Sequence, residues 1–355
     1  MEENKKIQKA KKGKVKQSEV EIEAEISPEV LAEHKDYVLS EIRKEFTMPG
    51  FRKGMVPENI VLQNINADSL LHEAAESALK ELYPEILAMV EVSPVTPPQI
   101  NIVKLAEGNP LEVKIKVGVH PEIKLANYKK IAKKIWEEKE KPSVDEKEVE
   151  EVVTHLREMH KHPSESGPDK EAVTLPELTD EEVKHFGKFE NVADFKAKIK
   201  ENLLSEKTHE ADKRARDKMV RDIVADSTLE LPPMLVELEL SDLKEDFAQS
   251  LKDNGETIER FLERTKKTAE GVDRDHKEYV EKSLKTRFIL SELLRAEKIT
   301  ADPGEVEKEA MVIRNYRPDM DEEKARAYAE SMLLNEKLFA MLEGREPEKA
   351  EEKTS

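Results

Sequence analysis

The sequence predicts an α+β head followed by an extended, all-helical C-terminal part with arms. Three observations predict it. Residues 19–26 alternate strictly, with Val20, Ile22, Ala24 and Ile26 on one side and Glu19, Glu21, Glu23 and Glu25 on the other, the pattern of a half-buried strand. Two more strand-like stretches, 99–105 and 111–119, follow only after helical segments, so strand, helices and strands succeed one another. Beyond residue 175 the apolar residues fall at helical spacing. The composition, 39% charged and 5% aromatic over 355 residues, suits long solvated helices with thin cores.

Residues 1–16 crowd Lys5, Lys6, Lys9, Lys11, Lys12, Lys14 and Lys16 against Glu2 and Glu3, which reads as a disordered basic tail. Such a tail either adds salt-sensitive attraction to RNA or only solubilises. Ser27 then caps a helix that has Pro28 at its first position and Val30, His34, Val38 and Ile42 along one face. A glycine-bracketed loop ends it. A second helical region starts at Pro57, and 68–90 continues with Leu71, Ala75, Ala78, Leu79 and Leu82 until Pro94, Pro97 and Pro98 break it. With its closing strands the head spans 17–120.

Residues 121–174 read as a linker with one helix. A basic stretch at 128–141, with the only tryptophan, Trp136, is expected to be extended. Ser143 caps a helix over 144–161 with Val149, Val152, Val153 and Leu156 apolar. Residues 162–174 are a short polar connector. The helical domain spans 175–345. Asn191 caps a long charged helix to about 227 carrying Phe195, Ile199 and Leu203, and Pro232 and Pro233 start another. Asn254-Gly255 makes a turn. Helices then cover 257–265, 274–297, 303–316 and 320–342, and 346–355 is a charged tail expected to be disordered.

Several chemistries are excluded. There is no cysteine, hence no disulfide or thiolate. No apolar run reaches the length of a membrane span, and the basic N-terminus lacks the apolar core of a signal peptide, so a soluble cytoplasmic protein is expected. The net charge of −18 argues against DNA and generic nucleic-acid binding. No phosphate loop or Gly-x-Ser-x-Gly occurs, and no carboxylate pair stands out. His155, His160 and His162 read as a solvated cluster rather than a metal site. No catalytic residue, cofactor or metal is expected, so the functional surface is a binding surface. Long helices with few aromatics leave grooves lined by flexible apolar side chains, with Met219, Met234, Phe247, Phe261, Met311, Met332, Leu333 and Phe339 as candidates. Each alone is more often helix-packing core; as a set, some line the groove.

The loop is Gly50-Phe51-Arg52-Lys53-Gly54-Met55-Val56-Pro57, with Arg43 and Lys44 just upstream. Gly50 and Gly54 permit positive φ, and Pro49 and Pro57 stiffen the edges. Arginine pairs carboxylate or phosphate and phenylalanine fills a pocket or stacks, so the tip suits an acidic protein or an RNA surface. The alternative is a solvated basic turn. The octet resembles the ribosome-docking signature of bacterial trigger factor, Gly-Phe-Arg-x-Gly-Lys-x-Pro. Gly50, Phe51, Arg52, Gly54 and Pro57 match, Lys53 fills the free position, and Met55 replaces the second cation. Leu175-Pro176-Glu177-Leu178-Thr179-Asp180-Glu181 resembles the start of the family's C-terminal domain, and Leu231-Pro232-Pro233-Met234-Leu235-Val236 its entry into the first arm.

The resemblance implies a ribosome-binding head and helical chaperone arms. It implies docking of 50–57 near the exit tunnel, on a ribosomal protein and rRNA, with unfolded or nascent chains as clients and no ATP; weak self-association is left open. The family's peptidyl-prolyl isomerase domain is expected to be missing. The connector at 162–174 is too short for a β domain, and no aromatic residue occurs between Trp136 and Phe186 to line a proline pocket. No enzyme activity is therefore expected. Two alternatives are a ribosome-independent holdase or assembly chaperone, suggested by Met55, and a prolyl isomerase.

Overall fold

The alternation at 19–26 builds the second strand of a four-stranded antiparallel sheet ordered β1-β2-β4-β3, formed by β1 (Ile7–Lys12), β2 (Glu19–Ile26), β3 (Gln99–Lys104) and β4 (Leu111–Gly118). The computed structural model describes residues 6–159 and 178–345. Ile22, Ile26, Leu111, Ile115 and Val117 are fully buried on one face of the sheet. Against them lie α1 (Pro28–Glu45) and α3 (Ala67–Met89), which contribute Val30, Leu31, Ala74, Ala75, Ala78, Leu79, Leu82 and Ile86. Ser27 caps α1 as expected, its hydroxyl accepting from the Val30 amide.

The other face of the sheet is a charge ladder. Glu23 lies opposite Lys114 and Glu21 opposite Lys116. The Lys114 ammonium bridges Glu21 at 3.1 Å and Glu23 at 3.4 Å. Lys9 pairs with Glu25 at 2.8 Å.

This ladder explains a correction. Residues 7–12, expected within a disordered basic tail, form β1 at the sheet's edge. Ile7 is buried and Ala10 packs on the core, while Lys9 and Lys11 stand opposite Glu25 and Glu23. The lysines are the cross-strand complement of the glutamate strand. A second correction concerns 128–141. Instead of an extended stretch, Asn127 caps a helix, α4 (Tyr128–Glu137), that buries Ala132 and Ile135 and turns its lysines outward. With α5 (Glu146–Met159) the linker region holds two helices rather than one. The expected connector at 162–174 lies outside the described residues, and so does the tail at 346–355.

The remaining helices are α2 (Glu58–Asn64), α6 (Asp180–Val183), α7 (Val192–Asp226), α8 (Pro233–Asp253), α9 (Ile258–Thr265), α10 (Ala269–Ala296), α11 (Pro303–Tyr316) and α12 (Glu322–Leu342). By contacts the chain divides into two compact units, each discontinuous in sequence: 1–124 with 228–289, and 125–227 with 290–355.

In the first unit a core joins the head to α8 and α10. Leu235, Val236, Val280, Leu284 and Phe288 are buried there, with Val95, Ile123, Leu229 and Leu231 packed against them. Pro232 cannot cap α8 with its side chain, and Glu19 does so instead, accepting from the Met234 amide at 2.8 Å. That contact buries Glu19, which the alternation placed on the solvated face.

In the second unit α4, α5 and α6 pack on α7, and α11 packs on α12. Phe195 and Ile199 of α7 join Val149, Val153 and Val183 in one core, and Ala310, Ala325 and Ala329 form another. Glu343, wholly buried, receives Arg216 and Arg345.

Candidate functional site

The loop between α1 and α2 is built from two successive tight turns. The Phe51 amide donates to the Met48 carbonyl at 3.1 Å, with Pro49 and Gly50 as the central pair. The Met55 amide donates to the Arg52 carbonyl at 2.9 Å, with Lys53 and Gly54 central. Gly50 has φ +94° and Gly54 φ +77°, so each glycine occupies the third position of its turn, where a type II turn needs positive φ. A Cβ on Gly54 would stand 3.2 Å from the Lys44 carbonyl oxygen, whereas one on Gly50 would meet nothing within 4 Å.

A small core holds these turns. Leu39, Val56, Val61 and Leu70 are buried, with Val38, Ile42, Phe46, Met48, Ile60 and Ile65 around them. Val56, unremarkable as a sequence position, is fully buried and is the loop's anchor. Its carbonyl accepts from Arg43 Nε at 3.0 Å. Arg43, a candidate contact residue from sequence, thus braces the loop from below.

At the apex Phe51 is 42% exposed and Met55 67% exposed. The four nearby cations are not equivalent. Lys44 pairs with Glu41 and Lys53 with Glu45, while Arg52 is exposed and its guanidinium has no ion-pair or hydrogen-bond partner among the described residues. Both lysine pairs are solvent-exposed and therefore weak, so either lysine is available to a stronger anion. Glu41 holds the Lys44 ammonium above its usual range through a charged hydrogen bond. The structure brings Phe51, Arg52, Lys53 and Met55 to one tip, with Gly50 and Gly54 as its turns and Pro57 as the residue before α2.

The apolar candidates separate. Met219 is fully buried in α7 and Met234 is 7% exposed at the start of α8; both are core and leave the candidate client surface. Their helices turn these side chains inward, which hydrophobicity alone does not reveal. Phe247 and Phe261 meet edge to face at 5.0 Å, and His276 meets Phe247 at 5.0 Å. Leu333 and Phe339 are half-buried, the latter beside the Arg216 guanidinium at 5.5 Å. Met311 and Met332 are exposed on the paired helices α11 and α12. Val312, Tyr316 and Tyr328 are exposed on the same two helices and were absent from the sequence candidates. Tyrosine serves core and surface alike, so only the packing of α11 on α12 distinguishes them. His155 is exposed on α5, and His160 and His162 lie outside the described residues. No helix among the described residues is long and apolar enough to cross a membrane.

Two family profiles match the chain. The one described as bacterial trigger factor protein covers residues 8–156, and the one described as bacterial trigger factor protein C-terminus covers residues 191–344. Between them lie only residues 157–190. A trigger factor of Clostridium botulinum is 23% identical over 415 aligned positions, covering 92% of this chain and 96% of that protein. One from Caldicellulosiruptor bescii is 26% identical, covering 87% of each. A solved chain, from work on promiscuous substrate recognition in folding and assembly activities of the trigger factor chaperone, superposes with a TM-score of 0.60 at 17% identity. It covers 95% of this chain and 99% of its own.

Proposed function

The chain belongs to the bacterial trigger factor family and is a chaperone of that type; on that premise we propose that it docks on the ribosome through residues 50–57 and shields emerging chains without ATP. The observation that carries this reading is the tip itself. Phe51 is exposed, Arg52 is unpaired among the described residues, and two glycine turns standing on a small core hold both outward. A hydrophobic core normally draws a phenylalanine in, so a buttressed loop that presents one beside a free guanidinium is suited to docking. Arg43 and Lys44 flank this tip, Arg43 as its brace and Lys44 as a further cation. The partners are an exit-tunnel ribosomal protein with rRNA on one side and unfolded polypeptide on the other, in the cytoplasm.

Phe247, Phe261, Met311, Met332, Leu333 and Phe339 are the client-facing candidates that remain, with Met311 and Met332 the most exposed. The chain carries no isomerase activity in this reading, since the two family matches leave only 157–190 for that domain. An assay of cis/trans isomerisation on a proline peptide tests this; acceleration lost on a single substitution contradicts it.

Met55 favours a second reading, a holdase that works away from the ribosome, because it puts an apolar side chain where the family signature has a cation. Cosedimentation with ribosomes across a salt series separates the two. Docking by Arg52, Lys53 and Lys44 on phosphate gives binding that falls steeply with salt. Absence of binding at low salt, with aggregation suppression retained, selects the holdase.

A further inference from the structure

The two edges of the head's sheet are built differently. The β1 edge carries Lys9, Lys11 and Lys12 and has an irregularity between Ile7 and Lys9. Lysines and bulges on an edge strand oppose pairing with another chain. The β3 edge has little of this protection. β3 pairs only with β4, and no other backbone partner occupies its outer side among the described residues. From Gln99 to Val103 it has no charge. Ile100 and Val103 are 41% and 53% exposed, and Gln99 and Asn101 are exposed as well. Ile100 stands opposite Ile115, which is fully buried, so Ile100 lies on the core side of the sheet at a margin that the helices leave open. The one irregularity falls late, between Ile102 and Lys104.

We infer that the β3 edge, Gln99–Val103, is a second client site, which binds an extended, uncharged apolar segment of unfolded polypeptide by adding it to the sheet as a fifth strand. The inference rests on the chaperone reading above. The outward amides and carbonyls of β3 are the groups that an extended backbone satisfies, and main-chain pairing is indifferent to client sequence. The segment's alternate side chains continue the apolar face beside Ile100. An uncharged strand brings no charge against this neutral edge, whereas the lysines of β1 repel a cationic strand and resist pairing in general.

The test uses the full chain and an unstructured peptide of alternating Val and Thr, with binding read by fluorescence anisotropy and β3 read by hydrogen exchange. With peptide at about ten times its Kd, the outward amides of 99–104 are expected to exchange about tenfold more slowly. A fully N-methylated peptide, lacking amide donors, is expected to produce no slowing. Ile100→Lys and Val103→Lys, placed on exposed positions, are expected to remove the slowing while the amides of β4 keep their protection, which shows the sheet intact. Peptide that binds while β3 exchange stays unchanged overturns this inference and leaves the chaperone reading standing. Peptide that does not bind at all, from a protein that also fails to suppress aggregation, overturns both. Slowing at β3 that grows with protein concentration in the absence of peptide assigns the edge to a second copy of the chain and overturns the client site.

Discussion

Gly54 shows how one residue sets the tip of the 50–57 loop. Its φ of +77° disfavours any side chain, and a Cβ would press on the Lys44 carbonyl at 3.2 Å. Gly54→Ala is expected to cost about 1–2 kcal/mol, the penalty of left-handed backbone for an L-residue, and to weaken ribosome binding by deforming the turn. Gly50→Ala carries the conformational penalty without the contact, and is expected to be milder in both a thermal melt and cosedimentation. Matching losses for the two variants would show that the Lys44 contact does not matter. Glu297 gives a pH prediction. Its carboxyl is held below the usual range, first by the Lys129 hydrogen bond and then by the Tyr128 hydroxyl. A depressed carboxyl pKa means stability that is present above the unfolded value, about 4.3, and lost as pH falls through the folded value. Relative to the intrinsic exchange rate at each pH, protection in the first turn of α4 should therefore fall as pH drops below the unfolded carboxyl value, and Glu297→Gln should remove that dependence. An unchanged acid profile in the variant contradicts the assignment. At this scale the sequence was partly legible. Glycine positions follow from backbone sterics, so a loop with positive φ at Gly50 and Gly54 could be read, but its division into two turns, and the roles of Val56 and Arg43, come only from the folded loop and the core beneath it.

Among the elements, β2, α1, α3 and β4 were legible because their apolar periods are strong and uninterrupted. β1 was not. Its lysines resemble a solvated tail until they are set against Glu23 and Glu25 on the neighbouring strand, a relation across the turn rather than along the chain. This yields a charge-swap test. Lys9→Glu places like charges across from Glu25 and is expected to lower stability by about 0.2–1 kcal/mol. Adding Glu25→Lys should restore most of it, read as a recovered melting temperature. Failure of the double variant to recover means that the pair contributes nothing measurable. α4 was missed for a related reason: lysine is a good helix former, and Ile131, Ala132 and Ile135 among the lysines define a helical face rather than an extended run.

For the whole molecule, the succession of an α+β head and a helical part was legible but the grouping of contacts was not. The contiguous helical domain expected over 175–345 contributes residues 228–289 to the unit that contains the head. Non-contiguous packing of this kind leaves no local signal, since Val95 and Ile123 look like ordinary apolar residues until they meet Leu229 and Leu235. Expressed alone, 175–345 therefore lacks Val95 and Ile123 against α8, and lacks the Glu19 cap on that helix. The fragment is expected to melt at a lower temperature than the full chain and to self-associate in size-exclusion chromatography, through the bared face of Leu235, Val280 and Phe288. A monomeric fragment with the stability of the full chain would show that this shared core is dispensable.

The central claim is that the 50–57 tip docks the chaperone on the ribosome. The most direct measurement is cosedimentation with ribosomes at low salt, comparing wild type with Phe51→Ala, Arg52→Ala and Lys53→Ala combined. These side chains are exposed, so the triple variant should keep its fold, verified by circular dichroism and a thermal melt. Ribosome binding is expected to be lost in the variant, and Met55→Lys in the wild-type background is expected to tighten it by adding a cation at the tip. A folded triple variant that cosediments as well as wild type contradicts the account.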